Sequence, residues 1–113
     1  MKINPGQMNR IFESSQQIDE NIFSLTKIIL LFLNIYYRDG LQYRELKTMV
    51  KISDGKLISN LNKLTELELL EKEMVKIDKK ELNFYRITVK GKQQVNLFLE
   101  WIDVMKLTLS EVE

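Results

Sequence analysis

The chain contains no cysteine and no histidine. That removes disulfides, thiol nucleophiles, Cys/His zinc sites and every acid–base scheme built on imidazole. One proline and four isolated glycines (6, 40, 55, 91) leave no glycine-rich loop to cradle a phosphate. A Ser–Lys or all-carboxylate catalyst is the residual option, but the acids are scattered. No enzyme, metal or cofactor is expected. Long apolar runs are missing as well. The longest, Ile28 to Tyr37, is interrupted by Asn34 and is about half the roughly 20 residues of a bilayer span. No basic-then-apolar signal segment opens the chain, so a cytoplasmic protein without membrane contact is expected.

What is present suits one folded domain. At 113 residues, 44% hydrophobic and 29% charged, the chain is large enough for a real core and too small for two. The net charge of +1 hides an asymmetry. Residues 38–92 hold thirteen Lys and Arg against nine Asp and Glu, whereas the flanks hold four against seven. A basic middle between acidic ends fits a DNA face carried by dimerising arms, although ordinary solvated charge would look similar.

Periodicity orders the elements. Asn4-Pro5 reads as a helix start, with Asn as cap and Pro at the first helical position. Met8, Ile11, Ser15, Ile18, Ile22, Leu25, Ile29, Phe32 and Tyr36 then follow at steps of three and four, one helical stripe. It is either a single helix or two, broken near Gln16–Asn21 where Asp19 could cap a second start. From Ile28 onward apolar residues surround the helix, which predicts burial on most sides. Arg38-Asp39-Gly40 ends it, with Gly40 in a left-handed position.

Leu41 to Tyr43 predicts a short strand, and Arg44 to Val50 a short helix with Leu46, Met49 and Val50 inward. After the turn Lys51-Ile52, Ser53 caps the next helix, Asp54 places negative charge in its first turn, and Ile52 with Leu57 has hydrophobic-staple spacing. Leu57, Leu61 and Leu64 mark the buried face. A strand from Leu70 to Ile77, a polar tip Asp78-Lys79-Lys80-Glu81, and a return strand Phe84 to Ile87 make a hairpin. Thr88 caps a last helix running toward Leu109. This order is a helix-turn-helix followed by a wing, whose usual use is reading duplex DNA.

Leu46, the segment Ser53-Asp54-Gly55-Lys56-Leu57, the segment Leu61-Asn62-Lys63-Leu64, and Tyr85-Arg86-Ile87-Thr88 with Gly91 resemble the winged-helix domains of small MarR-like transcriptional regulators. The resemblance covers roughly half the chain. It implies a mainly α fold with a small β-hairpin: a winged helix-turn-helix with N- and C-terminal dimerisation helices. Residues 1–113 would form one domain, with an arm (1–20), a winged core (21–88) and a dimerisation helix (88–113). Two departures stand out. Glu68 occupies a position where such domains often carry glycine, so it must take a left-handed backbone or extend the helix. The wing tip also lacks glycine, and a short, stiff hairpin would reach less deeply into a minor groove.

Opposite the leucine stripe lie Lys56, Ser59, Asn62 and Lys63, with Asn60 at the boundary. Asn pairs bidentately with adenine, Lys reaches guanine or phosphate, and Ser suits either role. Outward helix faces are polar anyway, but here no acid falls between Lys56 and Lys63, whereas a merely soluble helix mixes signs. Arg44, Lys47, Lys79, Lys80 and Arg86 would contact phosphates. For the wing lysines, blocking edge-strand aggregation is the strong alternative.

The last helix carries two apolar stripes: Val95, Phe98, Ile102, Met105 and Leu109, and beside them Leu97, Trp101 and Val104. One stripe suffices to cover a small domain. Met8, Ile11 and Phe12 show the same surplus. Both ends are therefore expected to pack on a second copy, although they could instead cover each other within one chain. Phe12, Tyr36, Tyr37 and Trp101 would also suit a ligand pocket, since many related regulators sense small aromatic compounds. Aromatics at helical spacing are usually core, and nothing in the residues supports an effector. The expected function is a sequence-specific, homodimeric regulator of a pseudo-palindromic operator, most simply a repressor. The alternative is a winged helix used for protein contact in a transcription or replication assembly.

Overall fold

The computed structural model describes residues 4–22, 24–37 and 40–111. Helix α1 (Pro5–Ser15) starts on a reciprocal cap: Gln7 N donates to Asn4 Oδ1 at 2.8 Å and Asn4 N to Gln7 Oε1 at 2.9 Å. The long stripe is two helices, not one. After α1 the chain makes a 3₁₀ turn (Glu20–Ile22), where Asn21 N donates to Asp19 Oδ1, and Ser24 rather than Asp19 caps helix α2 (Leu25–Tyr36). The break lets Ile18 and Ile22 drop into the core.

Helix α2 departs from expectation. It buries Leu30, Leu31 and Asn34, and the Asn34 amide donates to the Leu30 carbonyl at 2.8 Å. Leu25, Ile29, Phe32 and Tyr36 face outward, with Leu25 81% and Tyr36 71% exposed. The reason is geometric: a single chain of this size covers only one side of α2, however apolar the other is. Of the expected helix stop, Arg38 and Asp39 lie outside the described residues, while Gly40 has the left-handed φ of +93°.

Strand β1 (Leu41–Gln42) is a residue shorter than expected. The Glu45 carboxylate accepts from Gln42 N at 2.9 Å, and Tyr43 already belongs to helix α3 (Tyr43–Met49). Helix α4 (Asp54–Glu66) opens on the Ser53 cap, whose Oγ accepts from Lys56 N at 3.2 Å, and buries Leu57, Leu61 and Leu64 completely. Strands β2 (Leu70–Ile77) and β3 (Lys80–Ile87) form the wing, and β1 adds to β3 in an antiparallel sheet of order β1-β3-β2. Helix α5 (Val89–Glu111) leaves from Thr88, whose Oγ accepts from Gly91 N at 2.9 Å. The core is one cluster of leucines from α2, α3 and α4 with Leu41, Leu69, Leu70, Tyr85 and Val95.

Glu68 takes the left-handed option, with φ of +62°. Leu69 N donates to Leu64 O at 2.9 Å and Glu68 N to Thr65 O at 3.0 Å, which is the Schellman arrangement at the end of α4. A left-handed non-glycine residue costs about 1–2 kcal/mol. Part of that returns when glycine's greater unfolded-state freedom is counted. Glu68→Gly is therefore expected to raise stability by about 0.5–1 kcal/mol, read as a higher denaturation midpoint at unchanged slope. A lower midpoint would mean that the glutamate side chain itself holds the turn.

The wing also differs from expectation. The register Ile77↔Lys80 leaves only Asp78 and Lys79 as the turn, with φ of +49° and +66°. Two consecutive left-handed residues match the twist of a tight hairpin. Lys80 and Glu81, expected in the tip, sit in β3. Eight residues per strand make an arm roughly 26 Å long. The wing is thus long with a tight tip, not short.

Candidate nucleic-acid interface

Because α4 buries its leucines, its other face is presented outward by construction. Lys56, Ser59 and Asn62 are exposed, and Lys63 is half-exposed with Glu66 at 4.0 Å. Ser59, Asn62 and Lys63 line an open concavity of about 560 Å³ together with Gly55, Ile58, Asn60, Glu66 and, from α2, Lys27; Lys56 stands outside it. Asn60 contributes less than expected. It is half-buried, and its amide nitrogen is spent on the Lys56 carbonyl at 2.7 Å, one turn back.

Sequence reasoning missed Lys27, Gly55 and Ile58. Lys27 reaches the site from another helix, steadied by a 3.0 Å bond from its Nζ to the Asn21 carbonyl, so only the tertiary fold could bring it there. Gly55 had a legible signal. It occupies the first turn of a helix, and a Cβ added there would meet nothing within 4 Å. No internal packing demands glycine at that point, so the surface is simply left low.

Among the expected phosphate contacts, Arg44 is exposed and lines a smaller recess of about 220 Å³ between α3 and the wing, with Glu81 and Asn83. Lys79 and Lys80 are exposed at the outer end of the hairpin. Lys47 needs correcting. Its ammonium donates to the Ile52 carbonyl and lies 3.5 Å from Asp54 Oδ1, so it braces the turn between α3 and α4 rather than projecting outward. Tyr43 Oη completes the brace with a 2.8 Å bond to the same Asp54 oxygen. The Tyr43 hydroxyl first, and the Lys47 charge second, hold the Asp54 carboxyl below the usual aspartate range. Together these contacts tie the start of α4 to α3. Arg86 is likewise engaged, paired with Glu73 across the hairpin.

The expected dimer residues divide four ways. Val95 is a correction: at 5% exposure it belongs to the chain's own core. Phe98 and Trp101 pack partly against that core, with ring centroids 6.3 Å apart. Ile11, Ile102 and Met105 are half-buried, while Met8, Phe12 and Leu109 stay exposed. The two ends do meet within the chain. Glu111 accepts from Gln7 and Arg10, both at 3.0 Å, and these bonds pull its carboxyl below the usual range. The Gln94 side-chain Oε1 accepts from Asp19 N at 2.8 Å. Phe12 and Trp101 share a concavity of about 540 Å³ with Ile18, whereas Tyr36 and Tyr37 stack edge-on against each other, centroids 5.0 Å apart.

The profile of the family described as winged helix DNA-binding domain matches residues 28–106. The chain belongs to that family. Its purpose is DNA binding, not catalysis. Solved structures share the fold at low identity. A MepR mutant from S. aureus bound to an oligodeoxyribonucleotide aligns with a TM-score of 0.69 at 17% identity, over 94% of this chain and 75% of that one. MarR aligns at 0.64 and 18%, over 96% and 82%. The PcaV transcriptional regulator from Streptomyces coelicolor, in complex with its natural ligand, aligns at 0.61 and 16%, over 96% and 79%. No curated protein sequence matches the chain. The winged helix of the MarR type is thus the architecture of this family member, and no described helix is long and apolar enough to cross a membrane.

Proposed function

We propose that this winged helix is a cytoplasmic transcriptional regulator that binds operator DNA sequence-specifically as a homodimer and acts most simply by occluding a promoter. The observation that carries the reading is the outward face of α4. Lys56, Ser59 and Asn62 stand exposed there, with no acid among residues 56–63. Lysine, serine and asparagine are the donors and acceptors that distinguish base edges in the wide groove. Arg44 and the wing lysines would flank that contact at the phosphates, with Lys47 holding the turn.

Shape and surface support the dimer. The protomer measures 62 × 25 × 21 Å and its radius of gyration is 17.3 Å, against about 13 Å for a compact domain of this length. It exposes 7946 Å², whereas a folded monomer of its mass exposes about 6,500 Å². The surplus is of the order that one subunit contributes to an obligate interface. Exposed apolar side chains on α1 (Met8, Phe12), α2 (Leu25, Ile29, Phe32) and α5 (Leu99, Leu107, Leu109) provide a surface for it. The bonded ends of α1 and α5 would then form one arm that packs on its twin. Residues 21–88 would be the reading part of the single domain.

Selection of bound duplexes from a random pool, at two ionic strengths, tests this reading. The expected result is a pseudo-palindromic site whose half-sites lie about 34 Å apart. Affinity should fall as salt rises, with a log–log slope near −0.9 per phosphate contacted. An enriched site without two-fold symmetry overturns the dimer. Weak binding with no salt trend overturns the DNA reading and favours a protein-contact module.

A further inference from the structure

Within the concavity on α4, one side chain does not match its neighbours. Ile58 is 46% exposed among Gly55, Ser59, Asn60, Asn62, Lys63, Glu66 and Lys27. A β-branched residue on an exposed helix position gives up helix propensity relative to Lys, Gln or Glu. The core is already complete on the Leu57, Leu61 and Leu64 side, so the exposed half of Ile58 is not needed there. A single exposed apolar residue is ordinary on a protein surface. Its position is what gives this one meaning. It sits one helical turn from Asn62, and residues four apart are surface neighbours.

The major groove offers one apolar group, the C5 methyl of thymine. We infer that Ile58 reads a thymine methyl and so sets sequence preference beside the hydrogen-bonding contact of Asn62. This inference rests on α4 being the reading helix. The spacing sharpens it. Four residues rise about 6 Å along a helix, and base pairs stack about 3.4 Å apart. The thymine therefore lies one or two base pairs from the adenine that Asn62 addresses.

Replacing each thymine of the selected site in turn by deoxyuridine tests it, because only the methyl is removed and the hydrogen-bonding edge is kept. With the full chain, one thymine per half-site should lose about fourfold in affinity on substitution, the value of one buried methylene-sized group. Ile58→Ala changes both subunits, so it should lose about the factor of substituting both half-site thymines together and nothing further on the doubly substituted duplex, a coupling read directly from the cycle. Ile58→Val, which keeps branched apolar surface, should retain the methyl dependence, and melting curves of both variants check that they fold. A wild type indifferent to every methyl, a selected site without thymine, or equal methyl losses in wild type and Ile58→Ala overturns the inference. Asn62→Ala separates the two levels. If it abolishes preference while no methyl coupling exists, only the Ile58 role fails; if it leaves preference intact, the α4 assignment fails with it.

Discussion

Gly91→Ala is expected to destabilise the protein by about 2–3 kcal/mol, at the upper end for overpacking, and to lower the melting temperature by about 10 °C. Gly91 is buried in the first turn of α5. A Cβ there would lie 2.3 Å from the Leu69 carbonyl oxygen and 2.7 Å from Ile87 Cγ1. The carbonyl has little freedom to retreat. It accepts bonds from Thr88 N and Thr88 Oγ1, both at 3.1 Å, and Leu69 itself is fully buried. Relief would have to come from moving α5 away from the base of the wing. Gly55→Ala is the internal control: with no atom within 4 Å of the new methyl, it should leave stability unchanged or slightly raised. Thermal melts of the two variants side by side decide the matter. Equal melting temperatures would show that the α5–wing contact yields easily.

The second large effect concerns binding. Lys56→Ala combined with Asn62→Ala should cost roughly 2–6 kcal/mol per half-site on the selected duplex, from two base contacts worth about 1–3 kcal/mol each. That is at least about a thirtyfold loss. Neither side chain has a packing role, since both are exposed, so the fold should persist. Lys79→Ala with Lys80→Ala makes the contrast. Those wing changes should weaken binding to all sequences alike and flatten the salt slope. Titrations of specific and scrambled duplexes at fixed salt check both. If the double change on α4 lowers specific and scrambled binding equally, these residues touch phosphates and another face reads the bases.

Where the sequence was legible, the signals were local. Asn4, Ser53 and Thr88 cap the helices they were expected to cap, because a side-chain oxygen two or three residues from an unpaired amide acts without help from the rest of the chain. The bounds of β2 followed from its length and from the turn residues after it. Less legible were features that depend on what lies across space. Lys47 and Arg86 looked like phosphate ligands, yet each has an acid that folding brings beside it, Asp54 in one case and Glu73 in the other. Val95 shared a stripe with Phe98 and Ile102, but only the way α5 packs in the fold puts it in the core.

Residue order alone determined that a serine-capped helix with an inward leucine stripe would stand between a short helix and a hairpin. Capping and 3.6-residue periodicity act over one or two turns, so that much needs no tertiary information. Tertiary structure decided the rest: that α2 leaves Leu25, Ile29, Phe32 and Tyr36 facing out, that Glu68 is held left-handed by the end of α4, and that Lys27 joins Ile58 on one concave face. The physical reason is the same in each case. Burial, pairing and backbone strain depend on what lies against a residue in the fold, and the chain's periodicity specifies a face without specifying what will cover it.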